Sequence, residues 1–233
     1  MKDKVLFNIC PDGEFFGRAD EIDYICSKAV DEHRAAPNVL LTGRRWVGKT
    51  EVLRRVHYSL FWTQARVAPV YYQFRGYSSA WIFAEDFLKE VVKQYLAFRT
   101  RDTELVRAEF PAEKLERMLI DNESFDLADL LARHRDAKKS SDLLAALRNA
   151  INAPARISAE GMPAYLILDD IDRAQEIRIG EGGPGIMKEL MDALNSGAFA
   201  YLASSSTRKA LEGWVLNGSI ESLELKGLPE DLS

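Results

Sequence analysis

At 233 residues, 47% hydrophobic and 29% charged, the chain is long enough to bury a sizeable core and fits one large α/β domain with decoration. A formal charge of −5 does not imply a broad nucleic-acid-binding surface, although a local basic patch is compatible with it. Two cysteines (Cys10, Cys26) and three scattered histidines (His33, His57, His134) offer neither a disulfide framework nor zinc spacing. The opening "MKDKVLFNIC" lacks a signal-peptide core and no apolar run nears the roughly 18 residues of a bilayer span, so a cytoplasmic protein without a membrane partner is expected.

Along the chain, Ile22, Ile25, Cys26, Ala29 and Val30 share one face at helical spacing, which predicts a helix over 19–35 ended by Pro37. "NVLLTG" then reads as a short buried strand, and Val52, Leu53, Val56 and Leu60 as one face of the helix after it. The β-branched and aromatic "APVYYQF" (68–74) is a second strand. Ser78 or Ser79 can cap the next helix, whose stripe Ile82, Phe83, Phe87, Val91, Tyr95 and Phe98 is read as core.

Residues 101–160 are charged and helical, with candidate starts at Ser124 and Ser141, and read as scaffold inserted between strands. "AYLILDDID" (164–172) is the clearest buried strand, a continuous apolar run ending in acid. The glycine-rich "GEGGPG" (180–185) follows an acidic strand end and lacks a lysine, so it reads as a mobile connection rather than a second phosphate loop. A helix from Ile186 to Asn195 and the strands "FAYLASSS" and "IESLELKGL" complete the set. Strands alternating with helices at this spacing predict a mainly parallel sheet covered on both faces.

Chemistry concentrates at the first strand's end. Gly43-Arg44-Arg45-Trp46-Val47-Gly48-Lys49-Thr50 fits G-x-x-x-x-G-K-[ST], and a strand before and a helix after are the setting this phosphate loop requires. Glycine allows backbone angles that turn consecutive N–H groups inward around an anion, and the helix beginning at Lys49, Thr50 and Glu51 aims its positive end at the same point. Lys49 is expected to reach the β- and γ-phosphates of a nucleotide and the Thr50 hydroxyl to ligate Mg²⁺. No N-K-x-D guanine reader is visible, which favours ATP over GTP.

A magnesium–nucleotide site also needs a carboxylate at the end of a neighbouring strand. Asp169, directly after Leu166-Ile167-Leu168, is the candidate, touching the metal through its water shell. Asp170 follows, where a carboxylate can orient the attacking water; the bland alternative for Asp170 and Asp172 is a solvated strand end.

With these motifs in place, the chain resembles the P-loop ATPases of the STAND class and the archaeal-type ATPases, which lie close to AAA+ proteins and origin-recognition initiators. "FFGRADEI" (15–22) looks like their F-x-G-R-x-x-E-I box, "GRRWVGKT" and "LILDDID" fit their two nucleotide motifs, and "YLASSSTR" sits where a polar sensor ends a strand. The resemblance spans Gly13 to Leu228. It implies a P-loop NTPase three-layer sandwich: a mainly parallel five-stranded sheet of order 5-1-4-3-2 with helices on both faces.

It also implies an N-terminal segment over 1–36, an ATPase core over 37–233 with the helical insertion at 101–160, and a helical lid that "LKGLPEDLS" does not supply. Arg18 becomes a nucleotide contact or, alternatively, a helix-start salt bridge. Ser204, Ser205, Ser206 or Arg208 become sensor candidates, Ser205 and Arg208 foremost. The implied activity is ATP hydrolysis, slow in isolation, that drives a conformational or assembly switch with a protein partner or by self-association. A nucleotide-gated DNA-binding initiator or transposition helper is the alternative, with nucleic acid not indicated by the charge.

Overall fold

Five parallel strands form one sheet, and the alternation of side chains along them decides what each face packs against. In the computed structural model, which describes residues 6, 7, 9–11, 17–30, 38–206 and 220–227, the strands are β1 (Asn38–Gly43), β2 (Ala68–Gln73), β3 (Ala164–Asp169), β4 (Ala200–Ser205) and β5 (Ile220–Leu225). Their spatial order is β2-β3-β4-β1-β5, which from the other edge is the expected 5-1-4-3-2. β4 therefore separates β1 from β3, with Thr42 in register with Ser205 and Leu168 with Ala203.

Val39, Leu41, Tyr71, Tyr165, Ile167 and Leu202 point to one side, where α1 (Ala19–Ala29) and α2 (Lys49–Thr63) meet them through Ile25, Val52, Leu53, Val56 and Leu60. The alternate residues Leu40, Val70, Tyr72, Leu166, Leu168, Tyr201 and Ala203 point to the other side. There they meet α3 (Ala80–Thr100) and α9 (Met187–Leu194) through Phe83, Phe87, Val91, Tyr95 and Leu190. Burial on both faces is why the strands read as apolar runs rather than as alternating ones.

The segment between α3 and β3 holds α4 (Glu104–Arg107), α5 (Ala112–Asp121), α6 (Phe125–Lys139), α7 (Leu143–Ile151) and α8 (Ala153–Ala159). Leu115, Leu119, Leu127, Leu131, Leu147 and Ile157 continue the α3-side core, so these helices extend the packing instead of standing apart from it. Among the described residues, no helix is long and apolar enough to cross a membrane.

Several local expectations change. The predicted helix over 19–35 is seen as Ala19–Ala29, and residues 31–37 lie outside the described part. Ser79 caps α3 by accepting from the Ile82 N–H at 3.4 Å, but the Ile82 side chain is exposed, since it shares the outer face of the helix with Glu85, Asp86 and Lys89 while Ala80, Phe83, Ala84 and Phe87 face the sheet. α7 is capped by Asp142, whose carboxylate accepts from Ala145 N at 3.0 Å, and not by Ser141. Ser124 precedes α6 as expected, yet its hydroxyl turns inward to Tyr95 (3.1 Å) and Arg99 (3.0 Å). The glycine-rich 180–185 segment is a closed loop, tied by Ile179 N to Pro184 O at 2.8 Å and Ile186 N to Ile177 O at 2.9 Å.

β2 is a sheet edge, and α3 lies along it. Gln94 accepts from the Tyr71 N–H and donates to the Tyr71 carbonyl, both at 2.7 Å, so a side-chain amide completes the backbone pair that a further strand would otherwise take. Nearby on α2, His57 is fully buried between Phe7 and Phe61, and neither ring nitrogen has a hydrogen-bond partner. Burial holds its imidazole neutral and pushes its pKa down to about 3 from 6.5.

Below pH 6.5 the unfolded chain takes up a proton that folded His57 refuses, so stability falls as the pH drops through the window from 6.5 to about 3. His57→Phe should keep the fold and flatten this acid-side loss, read as melting temperature against pH between about 7 and 5. Parallel curves for wild type and variant would show that His57 is not the group responsible.

Candidate functional site

The turn between β1 and α2 is shaped by close approach and by two unusual backbone angles. Gly43 has φ +154, and a Cβ there would stand 2.7 Å from the Leu225 carbonyl oxygen and 2.9 Å from Val47 Cγ1, so a side chain would force β5 and the loop apart. Gly48, with φ +97, caps α2, and Trp46 adopts φ 68, in the left-handed region that a non-glycine residue rarely enters. The first N–H groups of α2 have no partner within the helix, and the residues that carry them, Gly48 to Glu51, line a cavity. Lys49 is only 7% exposed, and its ammonium donates to the carbonyls of Gly43 (2.8 Å) and Arg44 (3.0 Å). Burial pushes the Lys49 pKa down, while the carboxylates of Asp170, Asp169 and Asp172 pull it back up.

A cavity of about 850 Å³ opens beside this loop. Arg45, Trp46, Gly48, Lys49, Thr50 and Glu51 form its loop side. Asp170, Asp172, Arg173 and Glu176, from the end of β3 and the short helical turn Ile171–Glu176, form the other, with Ser206 from the end of β4. A second cavity of about 480 Å³ lies across the loop, between Arg44–Val47 and Glu224–Gly227 at the end of β5.

Asp169 itself has no exposed surface. Tyr71 Oη donates to its Oδ2 at 3.0 Å and Ser204 Oγ to its Oδ1 at 2.6 Å, so both oxygens of the buried carboxylate are paired. The same Ser204 oxygen accepts from the Asp170 N–H at 3.0 Å, which fixes Asp170 in the left-handed region (φ 55, ψ 46). The strand thus turns sharply after Asp169 and presents Asp170 to the cavity. Burial, and then the neighbouring Asp169, push the Asp170 carboxyl above its ordinary value. Asp172 accepts from Ser206 Oγ at 3.0 Å on Oδ2, while its buried Oδ1 has no partner.

The expected residues are therefore gathered, with differences. Lys49, Thr50, Glu51, Arg45, Trp46, Gly48 and Asp170 line one cavity, and Arg44 and Val47 line the one across the loop. Arg18 pairs with Glu21 at 3.0 Å and donates to the Lys226 carbonyl, fastening the start of α1 to the end of β5; it is not among the cavity residues. Ser205 is fully buried, Ser206 is the serine that reaches the cavity, and Arg208 lies outside the described residues. Glu51 also accepts from Cys10 N (3.0 Å) and Arg55 Nε (2.9 Å).

Sequence reasoning missed Tyr71, Arg173 and Glu176. The signal for Tyr71 is register: it pairs with Ile167, two residues before Asp169 and therefore on the same face, which is legible only once β2 is known to lie beside β3. Among the described residues, no three His, Cys, Asp or Glu side chains converge tightly enough to hold a metal ion by themselves. The hard oxygen donors present, the Thr50 hydroxyl and the carboxylates after β3, suit a cation that keeps most of its water, as Mg²⁺ does.

A search of curated protein sequences finds no match. Among solved structures, the ORC2 protein of Aeropyrum pernix in its ADPNP–ADP complexes aligns with 96% of this chain at 17% identity and a TM-score of 0.45. This chain spans about half of that one, 52% of its length. The AAA ATPase domain family matches residues 14–206, an interval holding the glycine loop, the acidic end of β3 and Ser204 to Ser206 at the end of β4. On that match over most of its length, the chain belongs to the AAA ATPase domain family.

Proposed function

We propose that the chain binds Mg²⁺·ATP at the β1–α2 loop and hydrolyses its terminal phosphoanhydride. The observation that carries this reading is the meeting of Lys49, Thr50 and Asp170 on one cavity, across which an inserted strand, β4, holds the loop and the acids apart. The inward N–H groups of the loop and the Lys49 ammonium would hold the β- and γ-phosphates, with Lys49 exchanging its two loop carbonyls for phosphate oxygens. Magnesium, when bound, would neutralise charge between the β- and γ-phosphates. Thr50 would hold its shell by hydroxyl, Asp169 by charge from within the fold, and Asp172 by its unpartnered oxygen.

Asp170 is assigned as the base. A raised carboxyl pKa makes a stronger proton acceptor, and the backbone bond to Ser204 fixes where it points. Asp170 takes the proton of a water whose oxygen attacks the γ-phosphorus; the bond to the β–γ bridging oxygen breaks, and ADP and inorganic phosphate result. Ser206, which donates to Asp172 and lines the cavity at the end of β4, is assigned as the residue that would report on the γ-phosphate.

Within its family we assign the chain to the STAND and archaeal type, on the Gly17-Arg18 box and the "GRRWVGKT" loop. In this reading residues 37–233 are the ATPase core, 1–36 an N-terminal segment, and turnover in the cytoplasm resets a conformation or an assembly with a protein partner or further copies.

Calorimetry with ATP and steady phosphate release test the assignment together. Lys49→Ala should weaken Mg²⁺·ATP binding by about tenfold or more, the value of one charge-assisted contact. Asp170→Asn should bind ATP nearly as wild type and turn it over about a hundredfold or more slowly, a loss in kcat without a matching loss in affinity. ATP affinity unchanged in a folded Lys49→Ala variant would overturn the site; turnover unchanged in Asp170→Asn would remove Asp170 as the base.

The same variant carries a pH signature. A carboxyl raised on folding favours the folded state only below its ordinary value of 3.8 and disfavours it as the pH rises through the folded value. Asp170→Asn should therefore melt above wild type at neutral pH, with the gap narrowing towards pH 4 or so. A gap independent of pH would assign the gain to the left-handed backbone, which asparagine also tolerates.

A further inference from the structure

The glycine loop separates two cavities, and they differ in kind. The larger is rich in carboxylates, Asp170, Asp172 and Glu176 among them, and suits the cation-bearing end of a polyphosphate. The smaller, about 480 Å³, is bounded by the loop and by Glu224 to Gly227 at the end of β5; Val47 offers it apolar surface, Arg44, Arg45 and Lys226 positive charge, and Glu224 a hydrogen-bond acceptor. A nucleotide whose phosphates occupy the loop must carry its base out on one side. The larger cavity holds the groups that phosphate and cation chemistry require, Lys49, Thr50 and Asp170, which leaves the smaller one for the base.

Trp46 stands on the crest between them and borders both. Its indole is 98% exposed, and its backbone is held at φ 68, a conformation that glycine would adopt without steric cost. A large aromatic kept in a strained turn and buried against nothing gains nothing for the fold. Strain of this kind, at the rim of a ligand cavity, points to a ligand contact.

We propose that Trp46 is the base-stacking and specificity residue of the site: its indole face covers a purine ring seated in the cavity between the glycine loop and the end of β5. This rests on the nucleotide reading above and adds what that reading leaves open, namely how the base is recognised. Stacking on an exposed indole favours large flat purines over pyrimidines and does not depend on a base-specific hydrogen bond. The Glu224 carboxylate at the rim favours a base that presents an exocyclic amino group.

The test is calorimetry on the full chain with Mg²⁺ and three probes, ATP, CTP and inorganic tripolyphosphate, for wild type, Trp46→Ala and Trp46→Phe. Wild type should bind ATP more tightly than CTP and CTP more tightly than tripolyphosphate. Trp46→Ala should lose about tenfold for ATP, less for CTP and nothing for tripolyphosphate, while Trp46→Phe recovers most of the ATP affinity. An alanine variant that binds ATP as wild type does, or that loses ATP and tripolyphosphate alike, overturns the proposal; the second outcome would make the indole a shaper of the loop. Lys49→Ala separates this from the parent reading, because it should weaken all three probes. Wild type binding tripolyphosphate and ATP equally would sink base recognition and leave phosphate binding standing, and wild type binding none of the three would sink both.

Discussion

A carboxylate with no access to water lies at the centre of this structure. Asp169 sits at the end of β3 with one oxygen on Tyr71 of β2 and the other on Ser204 of β4. A carboxyl group so placed is tolerable only while its donors are present, since leaving a buried polar group unsatisfied costs about 1–3 kcal/mol. The two bonds stitch three adjacent strands together at the edge of the sheet where the cavity opens. Ser204 then holds the Asp170 N–H and thereby sets the direction of the next carboxylate. The acid that meets solvent is placed by the acid that does not.

Backbone strain is distributed to the same end. Five described non-glycine residues have positive φ. Arg101, Glu123 and Ser141 stand just past the ends of α3, α5 and α6, where a left-handed residue closes a helix as a matter of course. The remaining two, Trp46 and Asp170, have no such excuse and face one another's cavity from opposite walls. Gly43 adds a contact so close that any side chain would push β5 away from the loop. These positions cost stability, and the packing of two full helical layers on the sheet is what supports them.

Much of this was legible in the chain because it is local. The glycine loop, the apolar run into Asp169 and the strand order implied by the family likeness all stand where they were read. What was not legible depends on partners distant in sequence. Tyr71 reads as one more strand aromatic until β2 lies beside β3, and Ser204 cannot be told from Ser205 until the pleat decides which faces the acid. Ile82 was read into the core stripe, but at helical spacing it falls with Glu85, Asp86 and Lys89 on the outer face of α3, beside and not on the buried line of Ala80, Phe83, Ala84 and Phe87. Asp142 displaces Ser141 as a cap because Ser141 takes the left-handed position that closes the preceding helix.

Gln94 has a consequence beyond the interior. A parallel sheet ends in a row of unfilled donors and acceptors, and such a row is a template on which another copy of the chain, or an unfolded segment, can lay down a further strand. By filling the Tyr71 pair from within, a single amide removes a middle rung from that template. A strand seeking to add there would have to evict a group already bonded at both ends. Among the described residues, the middle of the β2 border is thereby protected against the addition of a strand from outside.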